Sequence, residues 1–276
     1  MAISEKIQLL GKGVYKDIPD EITLKSITTG SELDYVGSED FDEVMLTKIL
    51  PQCIEENIDP KKLLEIDYYW VLRCLRFINY GPYVHVGAIF CDKCETTSRG
   101  EYIANLETVP CKPLPENFEN KIVISKDEFI SFNKDIELRL PTIQEILNSR
   151  KDKQFQDAFG RSNRQFARLC YMISSIGGEH LDPVAIRMKL QKDLEPADYV
   201  ILTELAGNAT DYGLRAGGSI TCPKCQNDQA SFVAFVDERF FRPSVDLLRR
   251  WAEDRNRRKV ENLPGTKNSE VRKYTR

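Results

Sequence analysis

The sequence predicts an α+β protein. A small strand-rich cysteine module is split by a mostly helical insertion. A strand and two or three helices precede the module, and an amphipathic helix with a tail follows it. Three observations carry this reading. A nine-residue pattern occurs twice, VGAIFCDKC at 86–94 and GGSITCPKC at 217–225, each a β-prone run ending in Cys-x-x-Cys. Proline-led helix starts recur between the two copies, at Asp182-Pro183 and Glu195-Pro196. The composition, 41% hydrophobic and 30% charged, is that of a globular chain with an ordinary core.

The repeat pairs Gly87 with Gly218, Ile89 with Ile220, Cys91 with Cys222, Lys93 with Lys224 and Cys94 with Cys225. Each copy has the outline of a zinc knuckle, two thiolates presented on a turn between strands. A structural zinc site takes four ligands in a tetrahedron, so Cys91, Cys94, Cys222 and Cys225 together form one candidate site. The reading is a split four-cysteine zinc ribbon interrupted by 127 residues. Two alternatives stand beside it. Redox Cys-x-x-Cys motifs open a helix after a strand, and neither copy does. Disulfides belong to an oxidising compartment, and the opening MAISEKIQLL lacks a signal-peptide core, so a reducing cytoplasm is expected. Four thiolates leave no open coordination position, which points to a structural rather than a catalytic metal.

The elements follow in order. Ile22, Leu24 and Ile27 alternate with polar residues as a half-buried strand. Asp40, with Glu43 three residues on, caps a helix whose apolar stripe is Leu46, Ile49, Leu50 and Cys53; Pro51 kinks it or starts another. Asp59-Pro60 opens a short turn. Asp67 reads as the cap of a strong helix that Gly81 closes. Tyr68, Val71, Leu72, Leu75 and Ile78 share one face of it; Tyr69, Arg73, Arg76 and Tyr80 share a solvated one. Strands at 83–90 and 100–106 flank the first knuckle, a proline-rich loop runs over 107–120, and KIVIS and DIELRL pair as strands. From Thr142 to 215 the pattern is mostly helical. SFVAFVD leaves the second knuckle, and Pro243 starts a final helix. The expected domains are 1–110 with the first knuckle, an inserted helical subdomain at 111–215, the second knuckle at 216–243, and a basic helix and tail at 244–276.

Cys53, Cys74 and Cys170 lie in apolar stretches as small core residues. Cys111, in a proline-rich loop, is either an inert thiol or a spare ligand. No apolar run is long enough to cross a membrane as a helix. The net charge of −4 divides into +6 over 249–276 and −10 elsewhere. Such a tail is either a solvated, partly disordered segment or the seat of an electrostatic partner, nucleic acid or an acidic protein surface. In the final helix Leu247, Leu248 and Trp251 recur at helical spacing with Arg249 and Arg250 around them, a candidate partner-binding anchor.

The order of features resembles the baseplate hub and tail-assembly proteins of T-even-like contractile-tailed phages. The resemblance rests on IPDEITLKSITTG, DFDEVMLTKILPQCIEE, IDPKKLLEIDYYWVLRCLRFINYG running into the first knuckle, and CPKC…VDERFFRP. It covers roughly 14–94 and 216–245. It implies a non-enzymatic structural or assembly role, with hub, wedge or tail-tube proteins as partners, in the host cytoplasm during assembly and then in the virion. No small-molecule substrate or membrane is expected. The alternative reading is a nucleic-acid-binding zinc ribbon, which the acidic body disfavours. Enzyme chemistry finds no support: the only histidines, His85 and His180, lack a nucleophile motif, and no phosphate loop is present.

Overall fold

In the computed structural model, residues 4–28, 30, 40–155, 163–233, 238–241 and 243–261 are described. Their elements run β1 (Ser4–Gln8), β2 (Glu21–Lys25), α1 (Phe41–Val44), a π-turn (Met45–Ile49), α2 (Leu50–Cys53), α3 (Glu65–Tyr80), β3 (Tyr83–Cys91), β4 (Thr96–Asn105) and β5 (Cys111–Lys112). They continue with β6 (Ile122–Ile124), β7 (Ile136–Leu138), α4 (Ile143–Lys151), α5 (Arg164–Met172), β8 (Ile173–Ile176), β9 (Glu179–His180), α6 (Pro183–Asp193) and α7 (Pro196–Ala209). Last come β10 (Gly213–Leu214), β11 (Gly217–Ile220), β12 (Ala230–Val233) and α8 (Val245–Glu261). Helices and antiparallel sheets mix, as an α+β chain requires.

The chain divides into two compact units: Met1–Ile78 with Val109–Ala216, and Asn79–Thr108 with Gly217–Arg276. This corrects the expected boundaries. The segment 111–215 is not a subdomain of its own, because it shares a unit with the N-terminal part. The physical cause is a set of direct bonds. Glu65 N–H donates to Pro141 O and Ile143 N–H to Leu63 O. Arg150 meets Asp42 at 2.9 Å and Arg168 meets Glu65 at 2.7 Å. None of these contacts has a local sequence signature.

In the first unit, Ile22, Leu24, Met45, Leu46, Ile49, Leu50 and Cys53 are buried, which includes the predicted stripe and two residues of the predicted strand; Ile27, the third, lies past the end of β2 and is half-buried. Asp40 accepts from the Glu43 N–H, and the π-turn lies immediately before Leu50-Pro51, where proline cannot donate an interior helical bond. β1, which pairs with β2 along five residues, was not anticipated: Lys6 and Glu5 hide its alternation.

The helix α3 buries Tyr68, Val71, Leu72, Leu75 and Ile78 as its spacing predicted. Two expectations fail on it. Asp67 is no cap; it lies inside the helix, fully buried, and accepts from the N–H groups of Leu10 and Gly11 and from the Tyr15 hydroxyl at 2.5 Å. Tyr15 in turn accepts from the Leu64 N–H. Arg76 is no solvated residue either, at 1% exposure. The positive φ of Gly81, 71°, closes the helix where glycine costs least.

The four-stranded sheet β6-β7-β8-β9 contains the predicted β6–β7 pair, but β8–β9 interrupts the region read as helical, turning through Gly177 and Gly178. Asp182 caps α6, and Thr142 and Glu145 form a reciprocal capping box on α4. The buried Asp198 of α7 holds a loop by accepting from the N–H groups of Ile130, Ser131 and Phe132. Close to where the insertion leaves and returns, β5 pairs with β10, and Arg215 N–H donates to Pro110 O.

In the second unit the sheet order is β11-β12-β3-β4. β12 joins β3 antiparallel, with Ser231 opposite Phe90 and Phe232 opposite Ile89. That register puts both hairpin turns at one end of the sheet. Gly217 is required by contact: a Cβ there would stand 1.8 Å from Phe232 O. Residues 234–237, expected to extend β12, the polar turn at 31–39 and the tail from 262 lie outside the described residues.

Candidate metal centre

The two turns at that end of the sheet carry the four cysteines. Cys91 ends β3 and Cys94 sits in the turn to β4; Cys222 and Cys225 lie in the turn from β11 to β12. Their sulfurs all fall within 4.8 Å of one another, with Cys91 Sγ to Cys225 Sγ at 3.5 Å and Cys94 Sγ to Cys222 Sγ at 3.9 Å. These are not disulfide distances, which lie near 2.05 Å. A tetrahedron with metal–sulfur bonds of about 2.3 Å has sulfur–sulfur edges of about 3.8 Å. The ring has the size that one four-coordinate ion requires, and the residues fit such a group.

The turns repeat each other in backbone as well as in sequence. The residue after the second cysteine is left-handed in both, Glu95 with φ 49° and Gln226 with φ 59°. That conformation turns the chain back around the sulfurs. In the second turn Gln226 N–H donates to Cys222 O, and Cys222 N–H donates to Asn227 O. Thr96 Oγ1 lies 2.9 Å from Cys94 Sγ, and Asn227 Nδ2 donates to Cys91 Sγ at 3.6 Å. Cys91 and Cys222 are buried, with Ile89 and Ala230 as their fellow core residues; Ile220 and Tyr102 pack around the four.

Donors facing the sulfurs set their protonation. The Cys94 N–H, helped by the Asn227 side chain, holds the Cys91 thiol down to about 6. The N–H groups of Cys225 and Lys224 lower Cys222. At Cys225 the Asn227 N–H pulls down, but burial and the neighbouring sulfurs outweigh it and push the thiol up to about 12. Two of the thiols are thus shifted down while a third is shifted up, because adjacent like charges cannot all form unaided. A cation at the centre removes that conflict and releases the remaining protons.

The other thiols stand apart. Burial raises Cys53 to about 11 and Cys74 and Cys170 to about 12. Cys111 lies on β5 opposite Leu214, so the spare-ligand alternative fails. Among the described residues the four cysteines are the only group of three or more His, Cys, Asp or Glu side chains placed to hold a metal ion. His85 Nε2 lies 3.0 Å from Ser244 Oγ and His180 Nδ1 lies 3.0 Å from Ser174 O; neither joins the sulfur ring.

The expected partner anchor is placed differently. Leu247 is buried within its own unit at 1% exposure. Arg250 stacks over the Tyr83 ring at 4.7 Å, and the Tyr83 hydroxyl donates to Asp254. Trp251 covers Gly81 so closely that a Cβ there would lie 2.2 Å from its ring. The stripe Leu247, Arg250, Trp251 and Asp254 therefore fastens α8 to its own sheet, which corrects the reading of Leu247 and Trp251 as an intermolecular anchor. Leu248 is half-buried, and Arg249 is exposed beside Asp246. The amphipathic spacing was a true signal of burial and carried no information about whose surface does the burying.

No model of a protein family, no curated protein and no solved structure matches the chain.

Proposed function

We propose that this chain is a non-enzymatic, zinc-stabilised structural or assembly protein that works by protein–protein contact in the baseplate hub of a contractile-tailed phage. The observation that supports it most is the closed ring of four cysteine sulfurs at tetrahedral spacing. An all-sulfur tetrahedral set suits Zn2+, and four protein ligands leave no position for substrate or water. The ion would join two hairpins far apart in sequence and sit in a small buried cluster of Ile89, Ala230 and two of the cysteines. The setting in a baseplate rests on the sequence resemblance described above.

Metal analysis of the purified protein tests the first part. One zinc per chain is expected; none, or two, overturns the shared site. A phage carrying a null allele of the gene tests the second. Loss of complete hubs is expected, and normal hubs overturn the baseplate reading without touching the metal.

A zinc ribbon that binds nucleic acid has two observations in its favour, the basic C-terminal stretch and the exposed lysines Lys93 and Lys224 at matching positions on the two turns. The same turns expose Asp92, Glu95 and Asp228, which cancel the field a phosphate backbone needs.

A further inference from the structure

The four sulfurs of the ring are not equivalent. Cys91 and Cys222 are buried, while Cys94 and Cys225 are half-buried, so an outside reagent meets one sulfur of each knuckle. A side-chain donor distinguishes those two. The Thr96 hydroxyl, two positions after Cys94, lies 2.9 Å from the Cys94 sulfur and donates to it once that thiol is ionised. The matching position after Cys225 is Asn227, whose side-chain amide serves the other knuckle instead and donates to Cys91 Sγ at 3.6 Å. Apart from the other sulfurs, Cys225 meets the Asn227 backbone N–H and, among the described residues, no side-chain N–H or O–H. A donor that stabilises a thiolate also lowers its nucleophilicity. Of the two reachable sulfurs, Cys225 is the one left without such a side chain.

We propose that Cys225 is the oxidation site of the ring, and that peroxide links it to Cys91, replacing the metal clip by a covalent one between the same two hairpins. The close sulfur contacts run across the knuckles, Cys91 to Cys225 at 3.5 Å and Cys94 to Cys222 at 3.9 Å. The β12–β3 register, with Phe232 opposite Ile89, already holds the two turns side by side. A disulfide needs about 2.05 Å, so the first pair has about 1.5 Å to close, which side-chain rotation covers. The Cys225 thiolate attacks one oxygen of hydrogen peroxide, the O–O bond breaks, and the hydroxide that leaves takes a proton to become water. The Cys91 thiolate then attacks the Cys225 sulfur, the S–O bond breaks, and a second hydroxide leaves and becomes water. Two thiolates, one peroxide and two protons thus give one disulfide and two waters, with two electrons passing from sulfur to oxygen. Only two thiolates then remain for the ion, too few to retain it. In a reducing compartment the metal form persists; where thiols oxidise, the hairpins stay joined. The inference rests on the metal reading above and not on the phage setting.

Stoichiometric peroxide on the zinc-loaded full chain tests it, with a chromogenic chelator reading free zinc and non-reducing peptide mapping reading bridges. A Cys91–Cys225 bridge should form in step with zinc release, while the amides of β3, β4, β11 and β12 keep their exchange protection. With limiting maleimide, the zinc-loaded protein should be labelled at Cys225 about tenfold faster than at Cys94. Thr96→Val removes the guarding hydroxyl and should bring the two labelling rates together. A bridge within one knuckle, a bridge to any cysteine outside the ring, zinc retained after the peroxide is spent, or protection lost as zinc leaves overturns the proposal. So does Cys94 labelled first, or a rate ratio unchanged in Thr96→Val. Zinc measured before the oxidant is added separates this from the metal reading: a chain without zinc overturns that reading, and the peptide map, which needs no metal, still decides the pairing.

Discussion

Replacing Cys222 by serine removes one sulfur of the ring, and the structure sets how much the resulting loss of the clip should cost. Taken along the sequence, a metal joining the two knuckles closes a loop of 127 residues. With the flexible-loop scaling of (3/2)RT ln n, that closure is worth about 4.3 kcal/mol before any constant term. The fold reduces the figure. The β5–β10 pair and the Arg215–Pro110 hydrogen bond already bring the two ends of the intervening segment together. The loop left for the metal to close runs from Cys94 to that pinch and back to Cys222, 23 residues, and the same scaling gives about 2.8 kcal/mol. Hydrogen exchange reads this directly. In Cys222→Ser the amides of β3, β4, β11 and β12 should exchange about 100-fold faster, the factor that corresponds to this energy, while those of α3 between Val71 and Leu75 hold their rates. Cys111→Ser should leave both sets unchanged. If α3 loses protection in step with the sheet, the two units do not open separately and the short-loop figure is wrong. If Cys111→Ser matches Cys222→Ser, the ring is not the clip.

Three further outcomes follow from particular contacts. Asp67→Ala should destabilise the first unit by about 3 kcal/mol in urea titration, because it orphans the buried donor at Gly11 and half-buried donors at Leu10 and Tyr15; a change under about 1 kcal/mol would show that water replaces the carboxylate. The Ser131 hydroxyl and the N–H groups of the 130–132 loop hold the Asp198 carboxyl below its ordinary value. Its contribution to stability is therefore present above the unfolded value of about 3.9 and lost as pH falls through the lower folded value. Exchange at Ile130–Phe132 should show this acid-side loss in the wild type, and Asp198→Asn should abolish the pH dependence. Gly81→Ala places a methyl against Trp251 at a positive φ and should lower stability by more than about 1 kcal/mol and shift tryptophan emission to the red in a Trp70→Phe background; unchanged emission would mean that α8 is not held there.

What the sequence made legible was local. The repeated Cys-x-x-Cys turns, the apolar face of α3, the β6–β7 pair and the Asp-Pro start of α6 each depend on residues within a few positions of one another. What stayed hidden depends on partners far along the chain. Asp67 reads as a cap because an acid precedes an apolar run; only the chain at Leu10–Tyr15, more than fifty positions away, makes it a buried acceptor. Arg76 follows the polar spacing of its helix and is nevertheless buried. The grouping of 109–216 with the N-terminal part turns on Leu63, Glu65 and Asp42, whose partners lie around 80 to 110 positions on. The anchor residues of α8 were found, but a helical stripe does not name the surface that receives it.

The split sheet also imposes a schedule on synthesis. A ribosome adding about 5–20 residues per second reaches Cys222 some 6 to 25 seconds after Cys94. During that interval the first thiol pair has left the ribosome's reach with half a coordination sphere. The first unit, by contrast, has received all of its chain before the second pair appears. The order of manufacture thus delays completion of the four-sulfur ring until the first unit's chain is made, and a nascent protein stalled or cut before Cys222 would carry two unshielded thiols as a mark of its incompleteness.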